Sequence, residues 1–165
     1  MGRTARGEPS YALGMIWRIE HRPRFKRLAS YLASKAPPGK LPGRQHIDPL
    51  EIPDLLPHLM LIDVVPQQSG PARYRIRLVG TEVVAIQGAD GTGRYVEEIL
   101  TAEQGCAEII RGYDEIVRTH QPEHRSGVVA TCGREHVTYE RIAFPLAEDG
   151  DHVNMLILIF TRIPK

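Results

Sequence analysis

The stretch of sequence that decides the fold runs from residue 74 to residue 98 and reads YRIRLVGTEVVAIQGADGTGRYVEE. Its opening residues alternate between apolar and basic side chains, which is typical of a half-buried strand. A short hydrophobic stretch follows, and then a glycine-rich turn over residues 90–94 and the acidic pair Glu97 and Glu98. A strand that leads into a short helix and a tight turn is one way to build the wall of a pocket.

A hairpin is predicted from this strand and the segment before it. Residues 58–65 are apolar and β-branched enough for a buried strand, and residues 72–79 alternate strictly. The six residues between them, 66–71, include two prolines and a glycine and therefore form a turn. Two antiparallel strands follow from this arrangement.

The clearest amphipathic helix of the chain is predicted over residues 103–120. Apolar residues recur there at spacings of three and four, charged residues lie on the opposite side, and Pro122 ends the helix. The apolar stripe consists of Cys106, Ile109, Ile110, Tyr113, Ile116 and Val117.

Three more strands are predicted after this helix, over residues 125–131, 136–146 and 152–162. Turns separate them at residues 132–134 and 148–150, and the second turn contains the Asp-Gly pair favoured in tight hairpins. Two strands, then helices, then three strands predict an α+β fold, a five-stranded antiparallel sheet with helices on one face.

The last strand is apolar on both of its sides over residues 153–160. A strand of this kind lies centrally in its sheet and is covered on both faces. The arginine-bearing face of the sheet is therefore expected to be covered too.

The cover available for that face is a second helix, predicted from Pro23 to just before Pro37. Its residues Phe25, Leu28 and Leu32 share one stripe. We therefore divide the chain into an N-terminal extension with an amphipathic helix, residues 1–36, and a main domain, residues 37–165.

Length, charge and composition exclude several classes of function. A chain of 165 residues is about one domain long, and its formal charge of +1 gives no long-range field for nucleic acid or an acidic membrane. The two cysteines, Cys106 and Cys132, are too few for a disulfide framework. The longest apolar run, residues 155–160, is far shorter than the roughly 20 residues that span a bilayer. We expect a cytoplasmic protein with neither nucleic acid nor membrane as partner.

Several short motifs follow one another in a characteristic order: LPGR at 41–44, DP at 48–49, IP at 52–53, LLP at 55–57, YRIRLVGT at 74–81 and TG at 92–93. Their order resembles a compact bacterial variant of the PAS domain, and the resemblance covers residues 37–162. It implies a PAS-like five-stranded sheet, to which the helix predicted within residues 1–36 adds an N-terminal extension. It also implies a sensory or protein-interaction module that works through a dimer and is not an enzyme.

The resemblance also bears on cofactors. PAS relatives that bind flavin covalently carry an Asn-Cys-Arg helix motif, which this chain lacks. Relatives that bind haem place a histidine inside the main helix, whereas the histidine of this chain, His120, lies only at the end of that helix. We therefore expect neither chromophore. His120 and His124 are four residues apart, but Pro122 between them breaks the helix that would align them, so no metal site is expected either.

The expected binding site is the concavity between the sheet and the main helix. Alternation places Tyr74, Ile76 and Leu78 on one strand face, toward the helices. Residues of the main helix provide the opposing wall: Ile109, Ile110 and Tyr113. The two tyrosine hydroxyls are candidates to orient a small apolar ligand. A filled core without a cavity is the alternative.

Three charged residues fall within predicted strands. Asp63 is expected to face outward or to pair with an arginine of the neighbouring strand, Arg75 or Arg77, because a buried unpaired carboxylate is costly. The alternative is that Asp63 is functional. The same two interpretations apply to Glu140 and Arg141.

The leading hypothesis is a non-catalytic PAS-type sensory domain that binds a small apolar ligand, a protein partner or both. It would form a homodimer through the N-terminal helix and the outer sheet face and act on a signalling protein in trans. A small cone-shaped α+β enzyme with an Asp63–His136 pocket is the alternative. A nucleic-acid binder using Arg73, Arg75 and Arg77 is disfavoured by the near-neutral net charge.

Overall fold

The computed structural model describes residue 19 and residues 21–101, 105–129 and 133–164. Within these ranges five strands form one antiparallel sheet in the order β2-β1-β5-β4-β3. The strands are β1 (Leu59–Val65), β2 (Arg73–Val79), β3 (Glu123–Val128), β4 (Thr138–Leu146) and β5 (Met155–Ile163). The predicted five-stranded antiparallel sheet is confirmed.

Strand β5 lies at the centre of the sheet, between β1 and β4. Its residues from Met155 to Phe160 are all buried, as a central strand with both faces covered requires. Burial of each such side chain contributes about 1.5–3 kcal/mol. The prediction that the last strand is central is confirmed.

Four helices pack on the sheet within the described ranges: α1 (Pro23–Lys35), α2 (Thr81–Gln87), α3 (Val96–Ile99) and α4 (Cys106–Thr119). Helices α2, α3 and α4 lie on one face, which we call the inner face and which carries Ile62 and Phe160. Helix α1 lies on the opposite, outer face and contacts β5. No helix among the described residues is both long and apolar enough to cross a membrane.

Helix α1 starts with a proline in its first turn, where the missing N–H costs nothing, and ends at Lys35 before Pro37. Its residues Phe25, Leu28 and Leu32 are fully buried. They belong to the same apolar core as the outer-face residues of the sheet. The helix therefore supplies the cover that the apolar character of β5 requires.

A partly buried ionic group joins the start of α1 to the sheet. Arg22 Nε donates to Glu140 Oε2 at 2.7 Å, and His124 Nε2 lies 2.7 Å from Glu140 Oε1. Glu140 pairs across the sheet with Thr161 and Ser126, on the outer face. The sequence predicted a side chain that faces outward or pairs with an arginine of a neighbouring strand; the arginine partner is instead Arg22, just before α1. Burial raises the pKa of Glu140, but the hydrogen bonds from His124 and Arg22 outweigh it, so the pKa lies below its ordinary value of 4.5.

We expect Glu140→Gln to lower the free energy of unfolding by about 1–3 kcal/mol at pH 7. Because the folded-state pKa is lowered, the carboxylate contributes its stability above its unfolded-state pKa and loses it as the pH falls through the folded value. Urea melts should therefore show the two proteins converging below about pH 4.5. A difference that stays constant from pH 7 to pH 3 would contradict this assignment.

The last strand begins three residues later than the sequence predicted, at Met155 instead of residue 152. The reason is the turn before it, where Asp149 Oδ1 accepts hydrogen bonds from the backbone N–H groups of Asp151 and His152. These bonds hold the chain in a turn and keep it out of the sheet.

Candidate functional site

A cavity of about 210 Å³ lies between the inner face of the sheet and helices α2, α3 and α4. Most of the residues in its wall are apolar, and among them are six from five different elements: Met60, Ile62, Ile76, Ile86, Ile109 and Phe160. A few polar groups complete it, among them Tyr113, Tyr139 and Arg141. A mostly apolar wall with few polar groups is typical of a small-molecule site.

The stretch at residues 74–98 forms one side of this cavity, as its pattern predicted. Gly93 N donates to Ile76 O at 2.7 Å and Ile76 N donates to Arg94 O at 2.9 Å, so the glycine-rich turn is bound to β2. Gly91 lines the cavity, and a Cβ there would lie 2.6 Å from Ile99 Cδ1. The turn can approach the cavity closely because this position has no side chain.

Three of the six predicted binding residues line the cavity: Ile76, Ile109 and Tyr113. Tyr74 is buried just behind the wall, where its ring meets the Tyr113 ring edge-on with centroids 5.2 Å apart. Ile110 is half-buried and lies outside the lining.

The Tyr74 hydroxyl donates to the carboxylate of Asp114. Burial, together with this hydrogen bond, raises the pKa of Tyr74 far above its ordinary value, so the phenol is neutral. Its hydroxyl therefore joins β2 to α4, and Tyr113 is the tyrosine of this pair that reaches the cavity.

Leu78 does not share the face of Tyr74 and Ile76, and the expectation that it lies on the inner face is wrong. Ile62 pairs with Ile76, but the next residue, Leu61, pairs with Leu78, so β2 has an extra residue at this point. Such a β-bulge reverses the alternation of the residues that follow it. Leu78 consequently turns away from the cavity and is 45% exposed.

Asp63 lies on the outer face, away from the cavity. Its carboxylate accepts from Arg77 Nε at 2.7 Å and from Arg75 Nη2 at 3.3 Å, which confirms the predicted pairing. His136 is exposed in the connection between β3 and β4, and neither residue lines the cavity. An Asp63–His136 pocket therefore has no support in the structure.

The remaining arginine of β2 also has an acidic partner. Arg73 pairs with Glu97, and its guanidinium lies 3.6 Å from the centre of the Tyr95 ring. Since Arg75 and Arg77 share Asp63, all three arginines proposed for nucleic-acid binding form ion pairs within the chain.

Sulfur and metal chemistry find no support among the residues that the structure describes. Cys106 is buried at the start of α4 outside the cavity lining, and burial raises the pKa of its thiol. Cys132 lies outside the described residues. Nor do the described ranges bring together three histidine, cysteine, aspartate or glutamate side chains that could hold a metal ion.

Sequence reasoning missed several residues of the wall. Met60 and Ile62 alternate in β1, and Phe160 lies in the strand recognised as central, so alternation was a usable signal for all three. For Arg141 the sequence left two interpretations open, a side chain that faces outward or is paired, and a functional one. Its neighbours two positions away, Tyr139 and Ala143, share its face and show that it points inward.

Comparison with known proteins shows the family of the chain. The profile of the PAS domain family matches residues 20–159. No curated protein matches the chain.

The chain is also similar, at low identity, to solved structures. The first is a sensory box sensor histidine kinase from Vibrio cholerae, with 16% identity and a TM-score of 0.47 over 70% of this chain and 90% of that one. The PAS domain of BvgS from Bordetella pertussis has 17% identity and a TM-score of 0.46 over 72% and 89%. A LOV protein from Rhodobacter sphaeroides has 10% identity and a TM-score of 0.49 over 85% and 69%.

Proposed function

The chain belongs to the PAS domain family of sensory signalling domains, and on that premise we propose that it senses a small molecule bound in the cavity between the sheet and helices α2–α4. It does so without a catalytic step and passes the signal to a protein partner. The observation that carries the proposal is the apolar cavity of about 210 Å³.

The size of the cavity supports a compact ligand. Protein interiors pack as densely as organic crystals, and voids larger than a water molecule are few. A dry apolar cavity of about 150 Å³ is enough to hold benzene, so the space available here suits a single ring with one small substituent.

The signal route follows from the position of β5. Phe160 lines the cavity on the inner face, while Ile159, next to it, is buried on the outer face that α1 covers. A ligand that presses on the inner face therefore acts on the packing of α1 through one strand.

The output is proposed to be a homodimer that binds a signalling protein in trans. The apolar stripe of α1 is buried on its own sheet, so the dimer would use the exposed side of α1 together with the outer surface of β2. Light scattering with and without a bound probe measures the oligomeric state directly.

A pair of matched variants tests the cavity. Ile76→Trp should fill it and lower the affinity for toluene, a neutral apolar probe, by about tenfold or more in calorimetric titrations. Leu78→Trp places the same side chain two residues away on the exposed side of β2 and should leave toluene binding unchanged.

Native mass spectrometry of the same three proteins adds a second readout. A small molecule that co-purifies with the wild type and Leu78→Trp but not with Ile76→Trp would support the proposal. Failure of the wild type to bind toluene, together with a loss of about 1–3 kcal/mol or more in Ile76→Trp from overpacking, would indicate a filled core and overturn it.

A further inference from the structure

Arg141 is the one charged side chain among the described residues that line the cavity. Its side chain is 3% exposed, and neither Nη1 nor Nη2 has a hydrogen-bond partner in the part of the chain that the structure describes. The nearest carboxylate oxygen, Glu123 Oε1, lies 3.6 Å from Nη2, beyond hydrogen-bond distance. The guanidinium carbon lies 5.4 Å from the centre of the Tyr113 ring.

The charges around Arg141 do not balance. Glu123 Oε1 accepts from Arg125 Nε at 3.1 Å, so two arginines face a single carboxylate. Tyr113 adds no negative charge, because burial raises the pKa of its phenol. Arg125 and Glu123 are partly exposed, whereas the Arg141 side chain is 3% exposed and lines the cavity. A buried guanidinium whose nearest carboxylate is bonded to another arginine is costly unless a further acceptor compensates it.

Glu123 lies against the backbone of helix α4. A Cβ at Gly112 of α4 would lie 2.3 Å from Glu123 Oε2, so the carboxylate lies directly against the helix backbone. Gly112 is unfavourable inside a helix relative to alanine by about 1 kcal/mol, and this close approach accounts for its presence. Glu123 Oε1 is bonded to Arg125, while Oε2 lies against α4 and has no hydrogen-bond partner among the described residues. Neither oxygen is within hydrogen-bond distance of Arg141, so its two Nη atoms are left for another acceptor.

We propose that the ligand of this cavity is a small monocarboxylate, with its carboxylate on Arg141 and its apolar body against Ile62, Ile76 and Ile109. The inference rests on the proposed function, since it requires that the cavity binds a ligand. A guanidinium presents parallel N–H groups that match the two oxygens of a carboxylate. A phosphate monoester would bring a second charge and a third oxygen, for which the described wall holds no further cation.

The test compares acids with neutral probes of similar shape. Benzoate, phenylacetate and cyclohexanecarboxylate, each with its amide, and also toluene and phenyl phosphate, are titrated at pH 7 into the wild type, Arg141→Met and Arg141→Lys. The wild type should bind at least one acid about tenfold or more tighter than its amide. Arg141→Met should abolish that preference and retain toluene binding. Arg141→Lys should give an intermediate preference, because lysine keeps the positive charge but lacks the parallel N–H groups of the guanidinium.

Toluene binding by Arg141→Met shows that the variant folds with its cavity intact. Arg75→Met, on the outer face, is the control for an effect of removing an arginine elsewhere in the sheet, and it should keep the preference for the acid. If toluene binds but no acid is preferred over its amide, the carboxylate inference is overturned and the proposed cavity stands. Tighter binding of phenyl phosphate than of all three acids also overturns it. If neither toluene nor any acid binds, both the proposed function and the carboxylate inference are overturned.

Discussion

Phe25→Ala should lower the free energy of unfolding by about 3–5 kcal/mol, as truncation of a fully buried phenylalanine does elsewhere. The effect combines the lost burial of the ring with the void left between α1 and the sheet. Chemical denaturation followed by tryptophan fluorescence and by circular dichroism measures it. Lys26→Ala, at the next and exposed position of the same helix, is the control and should change stability by less than about 0.5 kcal/mol.

The result decides whether α1 is part of the folding unit. If Phe25→Ala behaves like Lys26→Ala, the packing of α1 on the outer face contributes nothing to stability. In that case the cover of β5 must come from elsewhere, including a second copy of the chain. The proposed domain boundary at residue 36 remains a prediction that this experiment also bears on.

Most of the sheet could be predicted because its signals are local. The alternation in β2, the doubly apolar β5 and the spacing of Phe25, Leu28 and Leu32 each reflect burial that a few neighbouring residues specify. The Asp63 pairing could be predicted for the same reason, since Arg75 and Arg77 lie on the adjacent strand of one hairpin.

The parts that escaped prediction depend on contacts between distant segments. The bulge that turns Leu78 outward is set by the pairing of β1 with β2. No residue in 76–78 is of a type that indicates a bulge from the sequence. The lack of a hydrogen-bond partner for the Arg141 Nη atoms depends on how Glu123 and Arg125 of β3 meet Gly112 of α4. A single sequence gives the type and charge of each residue but not the distances between residues that are far apart in the chain.

Gly80 joins β2 to α2, and its environment is unusually tight. Its N–H donates to Leu59 O at 2.7 Å, and its carbonyl accepts from Val84 N at 3.0 Å in the first turn of α2. A Cβ at this position would lie 2.3 Å from the carbonyl oxygen of Pro57 and 2.5 Å from that of Leu56. Both obstacles are backbone atoms at a 3₁₀ turn, Leu56–His58, so no side-chain rotation can relieve the contact.

Gly80→Ala should therefore destabilise the protein by about 1–3 kcal/mol or more, although its φ of −69° is one that alanine adopts freely. The cost is steric, and relief requires α2 to move away from the turn. Because Ile86 of α2 lines the cavity, toluene affinity should fall together with stability. Gly127→Ala in β3 is the matched control, since no atom lies within 4 Å of its added methyl group, and it should change stability by less than about 1 kcal/mol. Equal melting curves for the two variants would show that the protein relieves the Gly80 contact without a loss of stability. Unchanged toluene binding in Gly80→Ala would show that the position of α2 does not set the width of the cavity.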